Sequence, residues 1–229
     1  MNYYIFRESF DTTEIGRQFP QVQNMSPNYP YNHPNSVWQM TNDRLDFTPN
    51  LDAFILHGHA KKTDMLSCVP ISFFNNVLIK SNLEVLWDKC DSSPYQVFPA
   101  SVHYRKQVLS YILLHFYTHN NEFVDFEKSH FCYRKKNREI IENVNINNQQ
   151  EYEFKWQKYI QEELDRVPNT QRPQLRALVL DTKKINLDFF RLTNLLNVYI
   201  VSERFAELIT QYEVTGAKLI NVKDYKIRI

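Results

Sequence analysis

The stretch Val198–Val222, VYIVSERFAELITQYEVTGAKLINV, decides the fold. Val198–Val201 is β-branched and aromatic, the composition of a buried strand. Ser202 follows where a helix N-cap belongs, its hydroxyl placed to accept from an early helical N–H. Glu203 falls in the first turn, where the helix dipole favours a negative charge. Phe205, Leu208, Ile209 and Tyr212 recur at i, i+3, i+4 and i+7, which is one apolar face of a helix. Gly216 permits the positive φ that the turn after a helix often requires, and Ala217–Val222 resumes an apolar strand. The stretch predicts strand, capped helix, tight turn, strand.

The same plan recurs at Val77–Val102, VLIKSNLEVLWDKCDSSPYQVFPASV. Val77–Ile79 reads as strand and Ser81 as N-cap. Leu83, Leu86, Trp87 and Cys90 read as the apolar helix face, and Tyr95–Val102 as the returning strand. The face starts two residues after Ser81 but three after Ser202. Two related strand–helix–strand lobes are expected on this pattern, with internal duplication as the hypothesis that would explain them.

Between and around these units, Asn2–Arg7 reads as an aromatic strand. Phe19–Pro34 reads as a loop, because Pro20, Pro27, Pro30 and Pro34 disfavour helix and central strand alike. Asp52–His59 reads as a strand and Lys61–Asp64 as a polar turn. Val108–Tyr117 reads as a buried strand, and Phe123–Phe126, Phe131–Arg134 and Glu139–Val144 as shorter ones. Asn145–Gln150 (NINNQQ) is the best interior boundary candidate in an otherwise single domain spanning 1–229. Glu151–Val167 predicts a helix with Trp156, Tyr159, Ile160, Leu164 and Val167 on a core-facing side, ended by Pro168. Leu175–Leu180 reads as a strand and Asp188–Thr193 as a short helical turn. The expected class is α+β, a mixed and mainly antiparallel sheet with helices packed on it.

Composition excludes several functions. The chain has 229 residues, 43% hydrophobic and 23% charged, the balance of a globular protein long enough to bury a core without staples. Its 27 basic and 26 acidic residues leave a net charge of +1, which gives no electrostatic case for nucleic acid or an anionic membrane. Only three glycines occur, Gly16, Gly58 and Gly216, so neither a phosphate-cradling loop nor a dinucleotide fingerprint can be built. Cys68, Cys90 and Cys132 are odd in number and far apart, as expected of reduced, buried thiols. The N-terminus lacks the basic and apolar regions of a signal peptide, and no apolar run approaches the ~20 residues of a membrane span. The expectation is a cytoplasmic protein that uses no cofactor and no membrane.

Few residues suggest chemistry. His57 and His59 would share one side of a strand and could meet a metal, but no third ligand lies at typical spacing. A metal-dependent hydrolase or nuclease around this pair is one alternative. Ser81 and Ser202 lack the base and oxyanion hole of nucleophiles; capping explains both. Asp125 and Glu127 form a carboxylate pair at a strand end, read as a solvated turn. The run Arg134, Lys135, Lys136, Asn137, Arg138 is basic enough to touch phosphates. A nucleic-acid-binding module is the alternative there, and a solvent-facing hairpin tip the simpler reading.

The phrases VLIKSNLEVLWDKC, YQVFPASV, FVDFEKSHF, ALVLD and VYIVSERFAELITQYEVTGAKL resemble bacterial immunity proteins of polymorphic toxin systems, in the families numbered eleven and forty-three. The resemblance covers Val77–Phe131 and Leu175–Leu219 and is most specific at Asp125–Phe131 and Ser202–Gly216. It implies a non-enzymatic protein that binds a cognate toxin domain stoichiometrically and blocks it, with no small-molecule substrate. Asp125, Ser129, Ser202 and Gly216 match recurring positions of the pattern. The expected partner contacts are Tyr29, Tyr31 and Trp38 from the Pro-rich loop, with Arg134, Lys135 and Lys136 from the basic hairpin.

Overall fold

Val198–Val222 folds as strand, helix, turn and strand, and the unit at Val77–Val102 follows the same course. The computed structural model describes residues 2–224 apart from 72–75, 136–138, 168–169, 193–194 and 196–197. Its strands are β1 (Tyr3–Glu8), β2 (Val22–Met25), β3 (Phe54–Leu56), β4 (Met65–Leu66), β5 (Asn76–Lys80), β6 (Tyr95–Tyr104), β7 (Gln107–Phe116), β8 (His130–Arg134), β9 (Ile140–Val144), β10 (Arg172–Ala177), β11 (Phe189–Leu192), β12 (Val198–Ser202) and β13 (Ala217–Asn221). Its α-helices are α1 (Thr12–Ile15), α2 (Val85–Asp88), α3 (Gln149–Leu164) and α4 (Glu203–Gln211). The class is α+β, with mainly antiparallel sheets.

The strands form a six-stranded sheet, β2-β3-β6-β7-β5-β4, a four-stranded sheet, β11-β12-β1-β13, and a three-stranded sheet, β10-β8-β9. Named strands pair antiparallel except β3 with β6. The first two sheets share one plan. In the larger, β5 and β6 are joined through α2 and flank β7, antiparallel to both, while β4 pairs outside β5. In the smaller, β12 and β13 are joined through α4 and flank β1, antiparallel to both, while β11 pairs outside β12. Strand order and direction correspond over these four strands. The larger sheet continues past β6 with β3 and β2, and the middle strands differ in source: β7 follows β6 in sequence, whereas β1 comes from the start of the chain.

Strand alternation places one core layer between the two sheets. Ile79 and Ile112 of one sheet meet Phe6 and Val201 of the other there, with Leu86 and Trp87 of α2 and Phe205 and Ile209 of α4. Trp87, Phe189 and Phe205 pack edge to face at centroid distances of 5.2–5.4 Å, an arrangement favoured by the ring quadrupoles. The opposite face of the larger sheet, through Leu78 and Leu113, covers a core built with residues of the segment 22–60. The opposite face of the smaller sheet, through Ile5 and Ile200, covers a core shared with the three-stranded sheet and α3.

The lobes are also tied by polar contacts. Asp64 accepts from Lys80 Nζ at 2.7 Å and from Thr215 N and Oγ1 at 2.9 and 2.6 Å. Gly216 has φ +80°, and a Cβ there would lie 2.1 Å from the Met65 carbonyl oxygen. Only glycine fits this close approach of the two chains.

Several expectations are corrected. Ser202 caps α4, accepting from Phe205 N at 3.2 Å. Ser81 caps nothing: it opens a 3₁₀ turn, Ser81–Leu83, and its hydroxyl meets Ser110 Oγ at 3.0 Å. The loop Phe19–Pro34 contains β2, because Pro20 and Pro27 lie outside it and Val22–Met25 is free to pair on the sheet edge. The strand expected over Asp52–His59 shrinks to β3 and leaves both histidines in the following turn. Phe123 lies in a 3₁₀ turn, and Val124 makes a single bridge to Leu180. Asp188–Thr193 is no helical turn: residues 189–192 form β11, while Thr193 lies outside the described residues.

The long helix differs most. α3 is capped by Asn148 and buries Tyr152, while Trp156 packs partly against the same core. Ile160, Leu164 and Val167, expected on the core side, are exposed, Leu164 at 71%. Pro168 lies outside the described residues.

Candidate functional site

The segment between β2 and β3 presents an exposed aromatic pair on a built support. Its anchor is Tyr29, which is buried with Val37 and Met40. The Tyr29 hydroxyl accepts from Val37 N at 2.7 Å and donates to the Asn50 carbonyl at 2.9 Å. Ser36 Oγ accepts from Trp38 N at 3.2 Å and starts the 3₁₀ turn Val37–Gln39. On this base the Tyr31 ring stands edge-on to Tyr29 at 5.0 Å, and Trp38 lies 6.1 Å from Tyr31. Tyr31 is 43% exposed and Trp38 59%. The expected exposure therefore holds for Tyr31 and Trp38 and fails for Tyr29, whose hydroxyl is spent on the backbone. Side chains held this way lose little entropy on meeting a partner.

The basic run divides. Arg134 is buried on β8, where it donates to Gln174 Oε1 at 2.6 Å. It is part of the three-stranded sheet and offers no solvent-facing contact. Lys135 is exposed and pairs with Glu139 at 3.1 Å, an exchange of small net energy at the surface. Lys136 and Arg138 lie outside the described residues.

The histidine pair does not meet on a strand. His57 Nδ1 accepts from His59 N at 3.2 Å, and the two rings stand 5.5 Å apart in a turn. Among the described residues no group of three or more His, Cys, Asp and Glu side chains is arranged to hold a metal. His115 is fully buried and held between Asn76 and the Asp43 carbonyl.

Asp125 accepts from Lys128 Nζ at 2.6 Å, and this bond holds its carboxyl below the usual range. Ser129 Oγ accepts from Val179 N at 3.0 Å and donates to the Val179 carbonyl, tying the turn to the chain beside it. The three thiols are free. Burial pushes Cys90 up to about 11 and raises Cys68 and Cys132 as well, so each stays protonated and poorly nucleophilic at neutral pH.

Asp188 carries a network that spacing in the sequence did not signal. It is buried just ahead of β11 and accepts from Ser202 Oγ, from Arg204 at 3.1 Å and from Asp91 N at 3.3 Å. Arg204 also donates to the Lys89 carbonyl at 2.6 Å. The end of one helical unit is thereby joined to the start of the other. The Ser202 hydroxyl is engaged on both sides, donating to the Asp188 carboxylate and accepting from Phe205 N as the cap of α4.

No protein-family model matches the chain, and no curated protein matches it.

Proposed function

We propose that this protein neutralises a bacterial toxin domain by binding it, as an immunity protein of a polymorphic toxin system acting in the cytoplasm. The observation that carries the reading is the Tyr31–Trp38 pair. Large exposed aromatic side chains, on a support fixed by buried hydrogen bonds, are the residue types that dominate binding energy at protein interfaces. The resemblance at Asp125–Phe131 and Ser202–Gly216 gives the partner its class. Those residues build the scaffold, with Ser129 tying a turn, Ser202 capping α4 and Gly216 allowing the lobes to approach. Recognition is accordingly assigned to the loops that the scaffold carries. A stable complex of this kind buries about 1,600 Å² in total, so the pair would form the centre of a larger contact that includes Lys135 only if it lies on the same side.

The test is co-expression with the C-terminal domain of a toxin encoded beside this protein's gene. Growth rescue and one-to-one co-purification are expected. Failure of both would remove the reading. No helix among the described residues is long and apolar enough to cross a membrane.

A further inference from the structure

Where the two lobes meet beside β4 and β12, a cleft of about 410 Å³ opens. That volume lies within the range of small-molecule sites. Its chemistry comes mainly from one cross-strand row of the smaller sheet. Phe6 on β1 is opposite Tyr199 on β12, which is opposite Arg191 on β11. All three line the cleft, as do Arg7 and Glu8. Arg191 is only 3% exposed, and its guanidinium carbon lies 6.0 Å from the Tyr199 ring centroid. The Tyr199 hydroxyl is buried and has no hydrogen-bond partner among the described residues; the same is true of Arg7 Nε. Buried polar atoms without partners are rare in folded proteins and call for an explanation.

The charges give the ligand its sign. Two guanidinium groups, of Arg7 and Arg191, share the lining with one carboxyl, Glu8, and burial raises the pKa of that carboxyl, which favours its neutral form. A guanidinium presents a planar fork matched to a carboxylate or phosphate. The rest of the lining is mainly apolar, with Phe19, Pro20, Met65 and Val198 beside Phe6, and adds the polar Ser67 and Asn76.

We propose that this cleft binds a small organic anion, a carboxylate or phosphate on an apolar body. Arg191 and the Tyr199 hydroxyl hold the oxyanion, Arg7 adds a donor, and Phe6, Phe19 and Met65 enclose the body. The proposal is independent of toxin binding, since it needs only this chain and the ligand.

Calorimetric titration of the full chain with benzoate, phenyl phosphate and inorganic phosphate tests it. Saturable binding of benzoate or phenyl phosphate is expected, and the tighter of the two identifies the head group. Inorganic phosphate is expected to bind more weakly than phenyl phosphate, because it lacks the apolar body. Tyr199→Phe keeps the ring and removes only the hydroxyl, so it should weaken binding roughly fivefold or more while leaving thermal stability unchanged. Arg191→Gln should abolish binding; if that variant does not fold, Tyr199→Phe decides alone. Absence of saturable binding by both organic probes overturns the proposal. So does a Tyr199→Phe protein that binds as tightly as the wild type, or inorganic phosphate that binds as tightly as phenyl phosphate.

Discussion

Ser202 donates its hydroxyl proton to Asp188 Oδ1 at 2.5 Å while its oxygen accepts from Phe205 N at 3.2 Å. One side chain therefore starts α4 and fastens that start to β11. Ser202→Ala should lose the cap, worth about 0.5–2 kcal/mol, and leave the buried Asp188 one donor short. The expected total is about 2–3 kcal/mol. Ser81→Ala, at the corresponding place in the other lobe, should cost within about 0.5 kcal/mol, because Ser81 caps no helix and meets only Ser110 near the surface. Urea denaturation of both variants checks the contrast; equal losses would mean that the two serines do the same job.

Gly216→Ala places a methyl group 2.1 Å from the Met65 carbonyl oxygen and 2.6 Å from Thr63 Oγ1, at a backbone angle that side chains seldom adopt. The lobes would have to separate locally, at an expected cost of roughly 3 kcal/mol or more. Gly58→Ala is the control. Nothing lies within 4 Å of its added Cβ, and the substitution should be neutral or stabilise by about 0.5 kcal/mol. Thermal unfolding of the pair gives the comparison directly.

Tyr29 and Trp38 should separate stability from binding. Tyr29→Phe leaves the Val37 N–H and the Asn50 carbonyl without the hydroxyl that joins them, an expected loss of about 1–3 kcal/mol of stability. Trp38→Ala removes a ring that is 59% exposed and should leave the unfolding midpoint nearly unchanged. With a cognate toxin domain in hand, it should weaken binding by about tenfold or more. A Trp38→Ala protein with wild-type affinity would place the contact elsewhere.

His115 makes stability depend on pH. Burial lowers its pKa and the nearby Arg191 charge lowers it further, while the hydrogen bond to the Asp43 carbonyl opposes them. The unfolded chain therefore takes up the proton first as pH falls. The stability that His115 contributes is complete above its unfolded pKa of about 6.5 and is lost as pH drops through the lower folded value. Urea midpoints measured at about pH 7.5 and about pH 5.5 should fall more in the wild type than in His115→Gln, which cannot titrate. An identical drop in both proteins would clear His115 of the effect.

How much of this was legible in the sequence depended on how each element is buried. α4 has one buried side and one wet side, so Phe205 and Ile209 announced it. β11 is buried on both faces, with Phe189 in the core between the lobes and Phe190 in the outer one. No alternation survives in FFRL, and a short helical turn fitted the letters equally well. α3 misled for the opposite reason. Its apolar residues extend over more of the helix than the small three-stranded sheet can cover, so Tyr152 is buried while Leu164 faces solvent. Tyr31 and Trp38 could be nominated because prolines and aromatics cluster there, but the sequence could not say that Tyr29 would be the buried anchor. The Asp188 network was invisible: its partners Ser202 and Asp91 lie 14 and 97 positions away, and only the folded chain brings them to one carboxylate. The corresponding plans of the two lobes were half visible, since the strand–helix–strand units recur in sequence while the donor of the second middle strand does not.

That donor imposes an order on biosynthesis. Asn2 bonds Glu203 across 201 positions, so β1 leaves the ribosome long before either neighbour exists. At about 5–20 residues per second, its aromatic run YYIF waits on the order of ten to forty seconds for β12 and β13. The larger sheet can form during that interval from strands already made. The smaller one cannot close until the last strand emerges. A chain interrupted before Val198 would carry a finished lobe and a sticky, unpartnered segment, a natural target for chaperones or proteases.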